Sequence, residues 1–216
     1  MKYTEKIKTL DWLAHNVVRL EVSKPTGFEF HVGDAVEIQV GAHEPGPFTM
    51  TNLLSEDTLE FIIRIYKNHH GKTEAISQLK VGDQIGFTEP FNTFRPKENA
   101  VFLAGGTGIT PFIAIMRYMH QKGTLNDCLL IFSNKTRKDL FLEKELREML
   151  GDKYLNVITS DPADPAYYGN IDAPFLKKQI NHSRPVLVCG PPPFNEAMEK
   201  ALRSIGLKEE QIDLGS

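Results

Sequence analysis

The sequence predicts two units in series: an antiparallel β-barrel over residues 1–96, then an α/β unit on a parallel sheet over residues 97–216. Three features carry this expectation. Upstream of residue 96, short runs of alternating apolar and polar residues are separated by Gly, Pro and Asp turns, the pattern of antiparallel strands with one face in water. Downstream, continuous apolar runs alternate with amphipathic helical segments, as strands buried on both faces require. Between the two styles lies "RPKEN", Arg95 to Asn99, with no internal repeat, low-complexity tract or flexible linker on either side.

In the first unit, "NVVRLEV", "DAVEIQV" and "LEFIIRIY" read as strands, and "KPTGFEFHVGD" and "LKVGDQ" as turns. One short helix is expected, "TEAISQL", with Thr73 as its N-cap. In the second unit, "AVFLA", "CLLIFS", "LNVIT" and "PVLVC" are strands, and "PFIAIMRYMH", "DLFLEKELREML" and "FNEAMEKALRSI" are helices. Leu142, Leu146, Met149 and Leu150 fall on one helical face, as do Ala197, Met198, Ala201, Leu202 and Ile205. Gly206 is placed to end the last helix.

Composition removes several function classes. A net charge of −3 over 216 residues gives no global attraction to nucleic acid or anionic lipid. The N-terminal "MKYTEKIKTLDWL" has no signal-like apolar core, and no window approaches the roughly 20 apolar residues needed to span a bilayer. A soluble cytoplasmic protein with no nucleic-acid or membrane partner is expected. The two cysteines, Cys128 and Cys189, can form neither a disulfide scaffold nor an iron–sulfur site, so any redox cofactor must be organic. The adjacent His69 and His70 read as a solvated loop, with no third ligand nearby in sequence, and no metal is expected. G-x-S-x-G and H-E-x-x-H are absent, and "LEKELREML" reads as a solvated helix face.

The chemistry concentrates in glycine turns. "AGGTGITP", Ala104 to Pro111, lies between an apolar strand and a helix that Thr110 can cap and whose first turn holds Pro111. Free N–H groups at such an end attract anions and admit a pyrophosphate; the alternative is a tight turn whose glycines serve packing alone. "CGPPPF", Cys189 to Phe194, is a second strand-to-helix turn, and both would face one crevice at the carboxyl ends of the strands. "GPFTMTN" and "HHGKT" sit upstream, in the barrel.

The order "PFTMTN", "HHGKTEAISQLKVGD", "AGGTGITPFIAIMR", "LIFSNKTRKDLFLEKEL", "VLVCGPPPF" resembles the ferredoxin–NADP reductase family along essentially the whole chain. The resemblance implies a barrel that binds FAD, an α/β domain that binds NADPH or NADH, and a nicotinamide that meets the flavin where the domains join. It implies Phe48 against the flavin, Thr49 near flavin N5, and Pro47 and Met50 flanking them. Gly46 stands where the family motif has an arginine that pairs with a flavin phosphate, which leaves the identity of the flavin open; Lys72 or Arg64 can compensate. Gly71, Lys72 and Thr73 align with the family's pyrophosphate loop, where a helix N-terminus and a cation agree with the physics. Arg64 and Tyr66 project opposite to Ile63 and Ile65, toward either the cofactor or solvent.

For the nucleotide, the resemblance implies Gly105, Gly106, Thr107 and Gly108 around the pyrophosphate, and Thr110 near the two reacting rings. Cys189 would lie beside nicotinamide C4, followed by Gly190, Pro191, Pro192 and Phe194; a buried structural thiol is the alternative. Ser133, Asn134, Lys135, Arg137 and Lys138, with no acid before Asp139, favour NADPH over NADH. The ending "QIDLGS" lacks the terminal aromatic of plant-type relatives, so Phe91 and Phe94 are other candidates to cover a ring, or they pack the barrel. The implied activity is hydride transfer from NADPH to flavin and release of single electrons to a flavodoxin, ferredoxin or oxygenase component. A reductase of free flavin and a non-catalytic flavin- or nucleotide-binding subunit are the alternatives.

Overall fold

The structure, a computed structural model, describes residues 1–68, 70–162 and 167–215, with only the backbone of Tyr167. Seven strands form the first sheet: β1 (Tyr3–Ala14), β2 (Val17–Ser23), β3 (Asp34–Gln39), β4 (Gly46–Thr49), β5 (Thr58–Arg64), β6 (Gln84–Phe87) and β7 (Phe91–Asn92). They run in the order β4-β3-β6-β1-β2-β5, with β7 paired to β3. The sheet curls until its two ends meet: Met50 bridges Phe61, and the Thr51 N–H donates to the Glu60 carbonyl at 2.8 Å. Leu20, Val36, Ile38, Phe61 and Ile63 fill the interior.

The longest strand, β1, was not anticipated. It changes register between Ile7 and Thr9 and again between Trp12 and Ala14. Each irregularity breaks the period-two alternation that marks a strand in sequence, and Ile7 is the strand's one fully buried residue. Helix α1 spans Lys72–Ser77 and starts after Gly71, with no side-chain cap. Thr73 therefore lies inside the helix, and its hydroxyl accepts from the Tyr66 N–H at 3.3 Å, tying the end of β5 to α1.

The second sheet is parallel, in the order β11-β10-β9-β8-β12-β13. Its strands are β8 (Val101–Gly105), β9 (Leu129–Asn134), β10 (Tyr154–Ile158), β11 (Tyr167–Tyr168), β12 (Val186–Cys189) and β13 (Ile212–Asp213). Side-chain alternation on β8 sends Phe102 and Ala104 against α2 (Thr110–Gln121) and α3 (Glu143–Leu150). Val101 and Leu103 go to the opposite face, against α4 (Ala173–Gln179) and α5 (Pro192–Ser204). Helix α3 starts four residues later than the expected "DLFLEKELREML", because Leu142 takes a left-handed conformation (φ 55°) ahead of Glu143. On α5, Met198 and Leu202 are buried but Ala197 is exposed. Gly206, at φ +97°, follows the end of that helix as expected.

The two sheets share one core. Val17, Val32, Ile62 and Phe94 from the barrel side pack with Phe112, Ile115 and Met116 of α2, and Phe94 meets Phe112 edge to face at 5.1 Å. Beside this apolar contact, Arg117 of α2 reaches across. Its Nη1 donates to the Thr51 carbonyl at 2.8 Å and to Glu60 Oε1 at 2.7 Å, while Nε and Nη2 grip Glu145 of α3 at 2.5 and 3.0 Å. Thr51 Oγ1 donates to the same Glu60 oxygen at 2.6 Å. Burial opposes the charge on Arg117, but the hydrogen bonds to Glu145 and the charge of Glu60 hold its pKa above the ordinary value. Among the described residues no helix is long and apolar enough to cross a membrane.

Removing one partner of a buried ion pair costs about 3–5 kcal/mol because the other charge stays buried. Arg117→Met is therefore expected to lower unfolding free energy by about that amount. Adding Glu60→Gln to the same variant should restore part of it, as chemical denaturation will measure.

Candidate active site at the domain seam

Two clefts open along the junction. The first, of about 540 Å³, is walled by Pro47, Phe48 and Thr49 of β4 and by Arg64, Tyr66 and Thr73 from the barrel. Thr107, Gly108, Thr110, Pro111 and Cys189 wall it from the parallel-sheet side. The second, of about 340 Å³, lies over the carboxyl ends of β8, β9 and β12 and is lined by Gly105, Gly106, Ser133, Asn134, Gly190, Pro191 and Phe194. Arg64, Tyr66, Thr107 and Gly108 line both clefts, so the two are continuous. Thr49 and Cys189, from different units, share one wall system.

The glycine turns take their form chiefly from each other. A methyl group on Gly108 would overlap the Cys189 carbonyl. One on Gly105 would lie 2.9 Å from the Phe194 ring, and one on Gly190 would lie 2.5 Å from it. "AGGTG" and "CGPPPF" thus interlock, with Phe194 seated on both. Gly106, at φ +56°, faces the Arg64 guanidinium. The expected Thr110 cap is replaced: a 3-10 turn over Gly106–Ile109 runs directly into α2, with Thr110 and Pro111 in its first turn and no side-chain cap.

Arg64 is the cation on the wall shared by the two clefts. Its side chain is 14% exposed, Nη1 stands 4.0 Å from Asp139 Oδ1, and Nε and Nη2 have no hydrogen-bond partner in the protein. Asp139 is turned back onto the Thr136 hydroxyl and N–H, at 2.8 and 3.0 Å, and receives the Asn16 amide from β2's approach at 3.3 Å. Burial alone would raise its pKa, but the Thr136 hydrogen bonds and the charges of Arg64 and His15 hold it below the ordinary range. The carboxylate that follows Arg137 and Lys138 is thus engaged within the protein. Burial pushes the Cys189 thiol up to about 11, so at neutral pH it is a neutral group.

Five sequence-predicted residues line neither cleft. Met50 is fully buried inside the barrel, where its bridge to Phe61 closes the sheet. Gly71 precedes α1, and the Lys72 side chain lies across Gly46 and donates to the Pro45 carbonyl at 2.6 Å. Pro192 is an exposed first residue of α5. Arg137 lines a separate cleft with Thr136, Lys138 and Asp161. Phe91, 38% exposed, and Phe94 both stand on the wall of the first cleft, and Phe94 is also packed in the core. Glu37, Thr93, Leu214 and Thr159 also line the clefts without having been anticipated; they carry no local motif and arrive only through the folding of distant segments. His69 lies outside the described residues, and His70 is exposed beside Glu74.

A curled antiparallel sheet joined to a parallel α/β sheet, with continuous clefts along the seam, defines a two-domain reductase fold. Residues 102–200 match the model of the oxidoreductase NAD-binding domain. The chain is 28% identical over 214 residues to the reductase component of propane 2-monooxygenase from Rhodococcus jostii (strain RHA1), covering 90% of this chain and 57% of that protein. It is 32% identical to NADH-cytochrome b5 reductase 2 of Candida glabrata, over 77% of this chain and 65% of that one. It thus spans less than two thirds of these relatives' lengths. Among solved structures, a ferredoxin NADP+ reductase from Neisseria gonorrhoeae with bound FAD and NADP superposes with a TM-score of 0.84, covering 97% of this chain and 96% of that one at 17% identity. The chain thus carries an oxidoreductase NAD-binding domain over residues 102–200 and shares the two-domain fold of that ferredoxin NADP+ reductase.

Two outcomes follow from this geometry. Gly108→Ala should force the two turns apart and cost about 1–3 kcal/mol, the usual range for overpacking, seen as a lower thermal midpoint. In a Cys128→Ser background, alkylation of Cys189 by iodoacetamide should rise with pH toward a midpoint of about 11 instead of the unperturbed 9.0.

Proposed function

We propose that the chain is an NAD(P)H-dependent flavoprotein reductase, with residues 1–96 holding FAD and residues 97–216 holding the nucleotide, NADPH in preference to NADH. Its acceptor is a protein that takes single electrons, such as a flavodoxin, a ferredoxin or an oxygenase component. The observation that carries this reading is the continuity of the two clefts, which lets a nucleotide lying over the parallel sheet present its ring beside Thr49 and Cys189. The relatives support the reductase class and a protein acceptor, though not the choice of NADPH: one serves a monooxygenase, and another is an NADH-cytochrome b5 reductase.

The residues present fit such ligands. Arg64, on the wall of both clefts, has two buried nitrogens, Nε and Nη2, without protein partners, and charge-assisted bonds to a phosphate would satisfy them. Pro47 and Phe48 give an apolar wall, and the Thr49 hydroxyl faces the same space. Lys72, lying across Gly46, brings a cation to the position where the family motif carries its arginine. Bound flavin would supply the conversion from a two-electron donor to one-electron acceptors. The chain's own work is orientation: Thr110, Pro111 and Cys189 form the wall against which a pyridine ring rests. The neutral Cys189 thiol packs there without attacking it. The preference for NADPH rests on Ser133, Lys135, Arg137 and Lys138, with Asp139 engaged by Thr136.

Anaerobic absorbance titration tests this reading. The FAD-loaded protein should bleach with NADPH at lower concentration than with NADH; no bleaching with either would leave a binding subunit, and turnover with free flavin but no protein acceptor would leave a flavin reductase. Arg64→Leu should raise KM for the nucleotide about 10- to 100-fold, the worth of one charge-assisted hydrogen bond, with kcat little changed.

A further inference from the structure

We propose that Asp139 is a positioning residue of the seam, the resident counter-ion that balances Arg64 while leaving its donors open to a phosphate; the inference rests on the ligand reading above. Arg64 ends β5 in the barrel, and Asp139 ends a 3-10 turn, Arg137–Asp139, that follows β9 in the other unit. Among the described residues Asp139 is the carboxylate paired with Arg64, at 4.0 Å, and its own side chain is 9% exposed. Its two oxygens divide the work. Oδ2 accepts the Thr136 N–H and hydroxyl, closing a capping box on the 3-10 turn. Oδ1 is turned to the barrel, where it takes the Asn16 amide at 3.3 Å and faces Arg64 Nη1 and, at 3.8 Å, His15 Nε2. Asp139 lines neither cleft, so it meets a ligand only through Arg64.

The cap does not account for the charge. A neutral amide oxygen would accept the same two bonds from Thr136, whereas a buried carboxylate loses solvation that only an opposite charge returns. Arg64 is that charge, itself buried to 14% exposure. The separation decides what kind of partner Asp139 is. At 4.0 Å it makes no hydrogen bond, nor the two-pronged grip in which a carboxylate occupies a guanidinium fork. Thr136 and Asn16 hold it back. Nε and Nη2 of Arg64 therefore stay without protein partners, on the wall that both clefts share. The pair is balanced in charge while the donors remain unspent. A phosphate arriving from a flavin or a nucleotide gains those donors but also meets the field of Asp139, so Asp139 lowers the affinity and favours release.

Calorimetric binding of inorganic pyrophosphate to the full chain, stripped of any bound flavin, tests the inference in wild type and Asp139→Asn, with FMN and ADP-ribose as the flavin-side and nucleotide-side phosphates. Asp139→Asn is expected to bind pyrophosphate about tenfold more tightly, the scale of one unit-charge repulsion in partly buried protein. Its ligand-free Tm should fall, because Arg64 loses its counter-ion, and pyrophosphate should raise that Tm more than it raises the wild type's. In an Arg64→Leu background the same substitution should leave pyrophosphate affinity unchanged. The ligand that shares the tenfold gain, FMN or ADP-ribose, is the one whose phosphate reaches Arg64. Unchanged or weaker pyrophosphate binding in Asp139→Asn would overturn the inference, as would a gain that persists without Arg64 or that neither FMN nor ADP-ribose shares. If asparagine prevents folding, Asp139→Gln, whose amide also closes a capping box, must show the same gain. Wild-type protein that binds none of the three ligands would overturn the ligand reading itself, and this inference with it.

Discussion

The ionic grip of Arg117 on Glu60, Thr51 and Glu145 is the constraint on which the seam depends. Glu60 is buried on β5 and faces the other unit, so its charge requires a partner from outside the barrel. Arg117 supplies it from α2, the helix that begins at the glycine-rich turn. One ion pair thereby relates the strand that ends in Arg64 to the helix that carries Thr110 and Pro111. The apolar contact around Phe94 and Phe112 gives the junction area; the ion pair gives it register. Because a displaced Arg117 would leave carboxylate charge buried, the two units have one favoured apposition, and the clefts inherit their shape from it.

The glycine turns add a second constraint. Gly105, Gly108 and Gly190 are small because the two turns and Phe194 occupy one another's space. The interlock that excludes side chains also brings bare backbone to the cleft. Arg64 and Asn134 show the complementary feature, buried polar atoms left without protein partners. Folding tolerates such groups at few positions, and here they border the same cleft.

Much of this was legible in the chain. The alternating runs before Arg95 and the apolar runs after Asn99 report solvent on one face of a strand or on neither, a local property that sequence records directly. The apolar faces of α3 and α5 were readable for the same reason at Leu146, Leu150, Met198 and Leu202. Strand β1 was hidden because its bulges reverse its alternation. Thr73 and Thr110 were misread as caps because a threonine before a helix signals a cap only if the backbone there is not yet helical, and at both positions it already is.

Sequence by itself determined the two fold classes, their order and the positions of the glycine turns, since each depends on residues close together along the chain. Tertiary structure alone decided which residues meet. Lys72 fills the space left open by Gly46, Met50 turns into the barrel while Thr49 faces the cleft, and Phe194 settles on Gly105, far from it in sequence. These pairings follow from how the barrel closes and how the sheets abut, and both are set by contacts between distant segments, which no local pattern encodes.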